Sequence, residues 1–230
     1  MDKQKLKNRA YQLFDQGIKQ YYRNDFLKAI RSWQESLAIY KKIRNRQGES
    51  KALGGLAIVH QSLGQFPMAI EFYEQSLQIS RELGNRQMEA ASLGGMGIAY
   101  QCLEQFPKVI DLNEQCLQIT REIGDRKGEA ASLYNLGIAY DSLGQFQKAI
   151  EFHEESLRIT REIGDRIGES NSLGGLGNAY QSLEQFPKAI EIHKQHLPIL
   201  QEIGDDEGEA DCLNNLAIAY DALGLSHPPQ

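Results

Sequence analysis

Between Leu53 and Leu63 the residues Leu53, Leu56, Ala57, His60 and Leu63 recur at three and four positions. At roughly 100° per residue that spacing lays them on one stripe of a helix. Gly64 follows as a helix stop, where a left-handed backbone costs glycine least. Phe66 comes next, and Pro67, like Pro107 and Pro187, sits in a first-turn position that has no use for the missing N–H. A second amphipathic segment then carries Phe66, Ala69, Ile70, Tyr73, Leu77 and Ser80 on one face. The pattern predicts a pair of helices, and no strand signal appears.

The pair recurs. Leu53, Leu93, Leu133, Leu173 and Leu213 are forty residues apart, as are Phe26, Phe66, Phe106, Phe146 and Phe186. Residues 125–164 and 165–204 share 24 of 40 positions without a gap, and Leu13, Gly17 and Ile18 extend the register back to the start. The sequence therefore predicts one array over 1–224, with units at about 5–44, 45–84, 85–124, 125–164 and 165–204. A final first helix at 209–223 closes it, and 225–230 is expected to be a flexible tail. Ile123-Gly124 and Ile163-Gly164 end second helices, after which Asp125 and Asp165 can cap the next helix by accepting free N–H groups. Pro198 should kink or shorten the helix that holds it. The last helix, half covered, either caps the array or meets a second molecule or a downstream region.

The stretch LGIAYDSLGQFQKAIEFHEESLRI resembles a tetratricopeptide repeat through Leu136, Gly137, Tyr140, Leu143, Gly144, Phe146, Ala149, Ile150 and Leu157. The resemblance covers nearly the whole chain. It departs from the usual 34-residue unit by a longer second helix and a G-D/N-R-x-G-E loop, as at Gly124 to Glu129. The longer form is similar to repeats of Partner-of-Inscuteable-type adaptors, kinesin light chains and cyanobacterial regulators. The resemblance implies an all-α, right-handed superhelical solenoid of antiparallel helix pairs, with first helices lining a concave groove that binds protein segments. The aromatic expected in the middle of the second helix runs Trp33, Tyr73, Asn113, His153 and His193, a drift that should loosen the later repeats.

Composition adds an asymmetry. The net charge of -6 divides into +8 over residues 1–46 and -14 over 47–230. An acidic total argues against nucleic acid as the main partner, while opposite ends of unlike charge permit weak, salt-sensitive self-association. No run suits a membrane helix, and Cys102, Cys116 and Cys212 form no even framework for disulfides. A cytoplasmic location is expected.

On the first helices a second arc lies beside the apolar stripe. It produces a ladder of Ile18, Ile58, Ile98, Ile138, Asn178 and Ile218, and another of Gln61, Gln101, Asp141, Gln181 and Asp221. The isoleucines either hold apolar side chains of a ligand or pack between adjacent first helices. Departures of one copy from its siblings gather late in the chain. These departures are Tyr134, Asn135, Asp141, Asn171, Asn178, Asp211, Asn214, Asn215 and Asp221; all but Asp211, together with the ladder members Ile138 and Gln181, are the candidate peptide-binding residues. Asn135-Leu136 and Asn215-Leu216 resemble the Asn-Leu of peptide-reading repeats, which implies backbone contacts for these asparagines; otherwise they are simply exposed helical positions. The site is acidic, so a basic segment with apolar anchors is the expected ligand. The basic clamp of chaperone-binding repeats is not matched, since the aligned positions are Phe14, Ile18, Gly55, Gly94 and Ile98. The pairs Gly54-Gly55, Gly94-Gly95 and Gly174-Gly175 serve either close helix packing or the approach of a ligand backbone.

Little points to catalysis. His193 and His196 have a spacing that can place two imidazoles on one face, and His153 repeats the position of His193. No carboxylate or cysteine completes a site along the sequence, so these histidines read as hydrogen-bonded packing groups, with no metal and no cofactor. There is no phosphate loop, GxSxG or HExxH. The expected function is a non-catalytic scaffold binding a peptide or helical segment; the alternative is a regulatory module of a bacterial signalling system.

Overall fold

The computed structural model describes residues 2–225, so the expected tail lies, from residue 226, outside the described residues. The described residues form eleven α-helices and no strands. They are α1 (Lys3–Tyr21), α2 (Phe26–Lys42), α3 (Arg46–Ser62), α4 (Phe66–Glu82), α5 (Arg86–Cys102), α6 (Phe106–Ile123), α7 (Arg126–Ser142), α8 (Phe146–Ile163), α9 (Arg166–Ser182), α10 (Phe186–Ile203) and α11 (Asp206–Ala222). Two compact units divide within α6, between Ile119 and Thr120.

Capping explains the helix boundaries. Asn45, Asn85, Asp125, Asp165 and Asp205 each accept a bond from the backbone N–H three residues on, at 3.0, 3.1, 2.9, 3.1 and 2.9 Å. Such a bond satisfies one of the orphan donors of a helix start. The cap at Asp205 starts α11 at Asp206, three residues earlier than the apolar pattern alone indicates. Gly64, Gly144 and Gly224 are left-handed as expected, and Gly164 and Gly204 end α8 and α10 in the same way. At the equivalent turns Asn24, Glu104 and Glu184 adopt φ of 60°, 55° and 57° without being glycine. Helix α10 runs unshortened through Pro198, which is exposed and so leaves its missing N–H on the solvent side.

In the first unit, Leu53, Leu56, Ala57 and His60 are buried together with Ala69, Ile70, Tyr73, Leu77 and Ser80. Leu63 is the exception, exposed at the C-cap of α3. The central side chain of each second helix fills a slot made by glycine. A Cβ on Gly17 or Gly55 would come within 2.5 or 2.8 Å of the Trp33 indole, and one on Gly95 within 2.3 Å of the Tyr73 ring. In the second unit a Cβ on Gly137 or Gly175 would lie 2.5 Å from His153 Cε1, and one on Gly177 2.4 Å from His193 Cε1. His153 and His193 are as buried as Trp33, so the change from aromatic to histidine has not loosened these positions. The slot is held by backbone proximity, which accepts any flat group of suitable thickness.

The G-D/N-R-x-G-E loop has a structural task that sequence reasoning did not assign. Buried Glu129 accepts from Arg121 of α6 at 2.9 Å and from Arg126 of α7 at 2.5 Å. Glu89 and Glu169 are clamped in the same manner, by Arg81 and Arg86 and by Arg161 and Arg166. Each carboxylate ties a helix start to the preceding second helix through charge-assisted bonds. At α11 the clamp lapses, because Gln201 and Asp206 stand where arginines stood, and only Gln201 bonds Glu209.

Candidate functional site

The first helices of the second unit, α7, α9 and α11, border a groove of about 600 Å³. Tyr134, Ile138 and Asp141 reach it from α7, Asn171 and Asn178 from α9, and Asn214 and Asn215 from α11. The three other candidates lie off it. Asn135 and Gln181 are half-buried and Asp221 is exposed. The Nδ2 of Asn215 donates to Asn178 Oδ1 at 3.0 Å, linking two of the lining amides across successive first helices.

Three carboxylates, Asp141, Asp205 and Asp211, line the groove, and no lysine or arginine does. Asp141 is half-buried, burial raises its pKa, and its Oδ1 has no hydrogen-bond partner. Burial also raises the Tyr134 phenol, whose ring lies 5.6 Å from that of His153. This is a concave, partly desolvated surface with amide donors and acceptors and a surplus of negative charge. Such chemistry receives a cation and an exposed peptide backbone.

The isoleucine ladder divides. Ile58, Ile98 and Ile218 are more than 40% exposed, so each keeps part of its apolar surface open to solvent, while Ile138 is half-buried in the groove wall. The glycine pairs also divide. The second member of each pair faces an aromatic or imidazole ring within 3 Å of a Cβ, whereas Gly54 meets nothing within 4 Å and Gly94 only Cys116 Sγ at 3.8 Å. Gly174 is tighter, with His196 Cε1 at 3.2 Å. Close packing thus explains the second glycine of each pair and, among the first glycines, Gly174 but not Gly54 or Gly94.

Sequence reasoning missed two features. The first unit has its own groove of about 610 Å³, lined mainly by apolar groups that include Phe14, Ile18, Trp33, Ile58 and Tyr73. Its signal was the ladder of Ile18 and Ile58 beside Gly54. The second is the floor of the other groove, where Cys212 of α11, which has no histidine beside it in sequence, has its Sγ 3.3 Å from His193 O and 4.0 Å from His193 Nδ1. The expectation of hydrogen-bonded histidines is met in part. His196 Nε2 pairs with Ser170 Oγ at 2.8 Å, but His153 Nδ1, His193 Nε2 and His196 Nδ1 are buried without partners. Burial lowers the pKa of His153 and His193 to about 4 and moves that of His196 downward, and it pushes the Cys212 thiol up to about 11.

Antiparallel helix pairs repeated every forty residues, with capped starts and a groove along the first helices, define a helical-repeat protein. The profile of the tetratricopeptide repeat family matches residues 17–82, 49–122, 87–162 and 164–227, and the chain belongs to that family. No curated protein matches it. Among solved structures it is similar to the apo form of RapI, with a TM-score of 0.84 at 16% identity over 94% of this chain and 83% of that one. A Rap protein complexed with Competence and Sporulation Factor gives 0.75 at 17% identity, over 94% of this chain and 64% of that one. The Pyrococcus horikoshii Signal Transduction ATPase with Numerous Domains, which has a tetratricopeptide repeat sensor, gives 0.83 at 19% identity over 92% of this chain. This chain spans only 32% of that ATPase. At these identities the likeness is one of fold. Among the described residues no helix is long and apolar enough to cross a membrane.

Proposed function

We propose that the protein is a non-catalytic interaction module that holds an extended, basic segment of a partner protein in the groove of its second unit. The observation that carries this reading is the groove lining, in which amides from α9 and α11 converge beside three carboxylates and no cation. Amides can pair with a peptide backbone whatever its side chains, and the carboxylates select lysine or arginine. Tyr134 and Ile138 offer apolar surface to an anchor residue. Family membership and a Rap relative that holds Competence and Sporulation Factor support the general activity.

The test is a basic peptide array read against wild-type protein and the Asn171→Ala, Asn178→Ala, Asn214→Ala triple variant. The expected result is a loss of affinity of at least about tenfold, on the basis of roughly 1 kcal/mol per hydrogen bond. Full retention of every bound peptide by the triple variant rejects the site.

A second reading, a regulatory module whose effector acts in trans, is supported by the ATPase relative that carries its repeats as a sensor. It differs in one measurable respect. A regulator's ligand changes the affinity for a second protein, so a two-partner binding experiment showing no coupling leaves only the scaffold.

A further inference from the structure

The floor of this groove departs from a pattern that two of the other repeats share. In the first unit the buried hydroxyls of Ser76 and Ser92 pair at 3.1 Å, and in the second unit Ser156 and Ser172 pair at 2.9 Å. Each pair joins a second helix to the next first helix. Forty residues on, the same two positions are His196 and Cys212. Both of these substitutions replace a hydrogen-bonding hydroxyl by a strong metal ligand. The adjacent central position of α10 is occupied by a third such ligand, His193.

One ligand atom of each of His193, His196 and Cys212 lies within 4.8 Å of the others, and all three residues are at least nine-tenths buried. In a tetrahedral zinc site, with bonds of about 2.3 Å to sulfur and about 2.1 Å to nitrogen, sulfur and nitrogen sit about 3.6 Å apart. Cys212 Sγ and His193 Nδ1 are 4.0 Å apart, so small side-chain rotations bring the set to bonding distance. The supporting shell is present. Ser170 Oγ, bonded to His196 Nε2, leaves the partnerless Nδ1 as the coordinating nitrogen and holds the ring. Gly174 and Gly177 approach the His196 and His193 rings too closely to admit a Cβ without movement.

We propose that His193, His196 and Cys212 bind a divalent cation of the zinc class, with the fourth position open to the groove. Two imidazoles and a thiolate suit zinc rather than the oxygen-seeking magnesium or calcium. On binding, the Cys212 thiol gives its proton to solvent, and the sulfur takes the metal in place of its bond to His193 O. Water completes the coordination until a donor atom of a groove occupant displaces it. The metal would also fasten α11 to α10, where the arginine clamp of earlier repeats is missing. The site stands independently of what the groove binds.

The probe is cobalt(II), titrated into the full chain after removal of metals by chelator, with zinc as competitor. We expect one equivalent to bind with tetrahedral d–d bands and a sulfur-to-cobalt charge-transfer band, both erased by zinc. Cys212→Ser should abolish the charge-transfer band, and His196→Ala should weaken cobalt at least tenfold. His153→Asn should bind as wild type. Zinc should raise the melting temperature of wild type and not that of Cys212→Ser, both compared with the same protein in chelator. Absence of a charge-transfer band from the wild type overturns the proposal without reference to any variant. So does a band that persists in Cys212→Ser, which would place the metal on another cysteine.

Discussion

The His153 imidazole lies so close to Gly175 that a methyl carbon there would be 2.5 Å from its Cε1. The ring belongs to the second helix of one repeat and the glycine to the first helix of the next, so this contact sets how closely consecutive repeats stack. Gly175→Ala and Gly95→Ala should therefore destabilise the fold, each by about 1–3 kcal/mol through overpacking. Gly54→Ala meets open space and should stabilise it by about 0.5–1 kcal/mol, the helix-propensity difference. Denaturant melts of the three variants check both signs; stabilisation by Gly175→Ala would show that the slot yields.

Glu104 and Glu184 occupy left-handed turns at which Gly64 and Gly144 stand in sibling repeats. Glu104→Gly and Glu184→Gly should each stabilise the protein by about 1 kcal/mol, since the relief of the Cβ clash outweighs the added freedom of the unfolded chain. A lower midpoint for either variant in chemical denaturation contradicts this.

His153 is buried neutral, with its folded pKa lowered to about 4 by burial against an ordinary value near 6.5. Between these values the unfolded chain binds the proton and the folded chain does not, so stability is full above about pH 6.5 and falls as the pH drops towards 4. The expected loss from this group is on the order of 3 kcal/mol. Asp141, whose pKa burial raises, works in the opposite sense, since the folded state holds its proton more tightly than the unfolded chain. His153→Asn should remove its own share of the slope and leave that of His193 and His196, whose pKa values burial also lowers. The fold should accept the change, because Asn113 already fills the equivalent position with its amide donating to Val109 O at 2.9 Å. Melts at stepped pH in chelator measure it, and an unchanged slope assigns the effect to other groups.

Glu129 is held by two arginines, and its removal leaves both without their buried acceptor. Glu129→Ala should cost on the order of 1–3 kcal/mol. Rebuilding the clamp at the last helix by Gln201→Arg with Asp206→Arg should add about 0.5–1 kcal/mol, less because Glu209 is only half-buried. Hydrogen exchange of α11 amides reports the second effect directly, and unaltered protection there would mean that no new pair has formed.

Asp141 places an oxygen without a partner in the groove wall. Asp141→Asn should raise stability slightly, by up to about 1 kcal/mol, while weakening a bound basic peptide and flattening the salt dependence of its affinity. A variant that binds with the wild-type salt slope removes Asp141 from the recognition surface.

The helices, their forty-residue recurrence and their caps were legible in the chain because they arise from interactions within a few residues. Leu53 and Leu56 share a stripe, Asp125 reaches the N–H of Gly128, and Gly164 turns left-handed whatever lies beyond the helix. Copy-to-copy differences also indicated the groove wall, since Tyr134, Asn171, Asn178 and Asn214 share a first-helix arc that repetition brings together. Other relationships join residues far apart in the chain. Trp33 needing Gly55, Arg121 and Arg126 meeting at Glu129, and Cys212 arriving beside His193 all depend on how one helix packs against another. Periodicity assigns a residue to a face, but the partner across that face is chosen by interhelical distance and side-chain direction, and these only the packed structure decides.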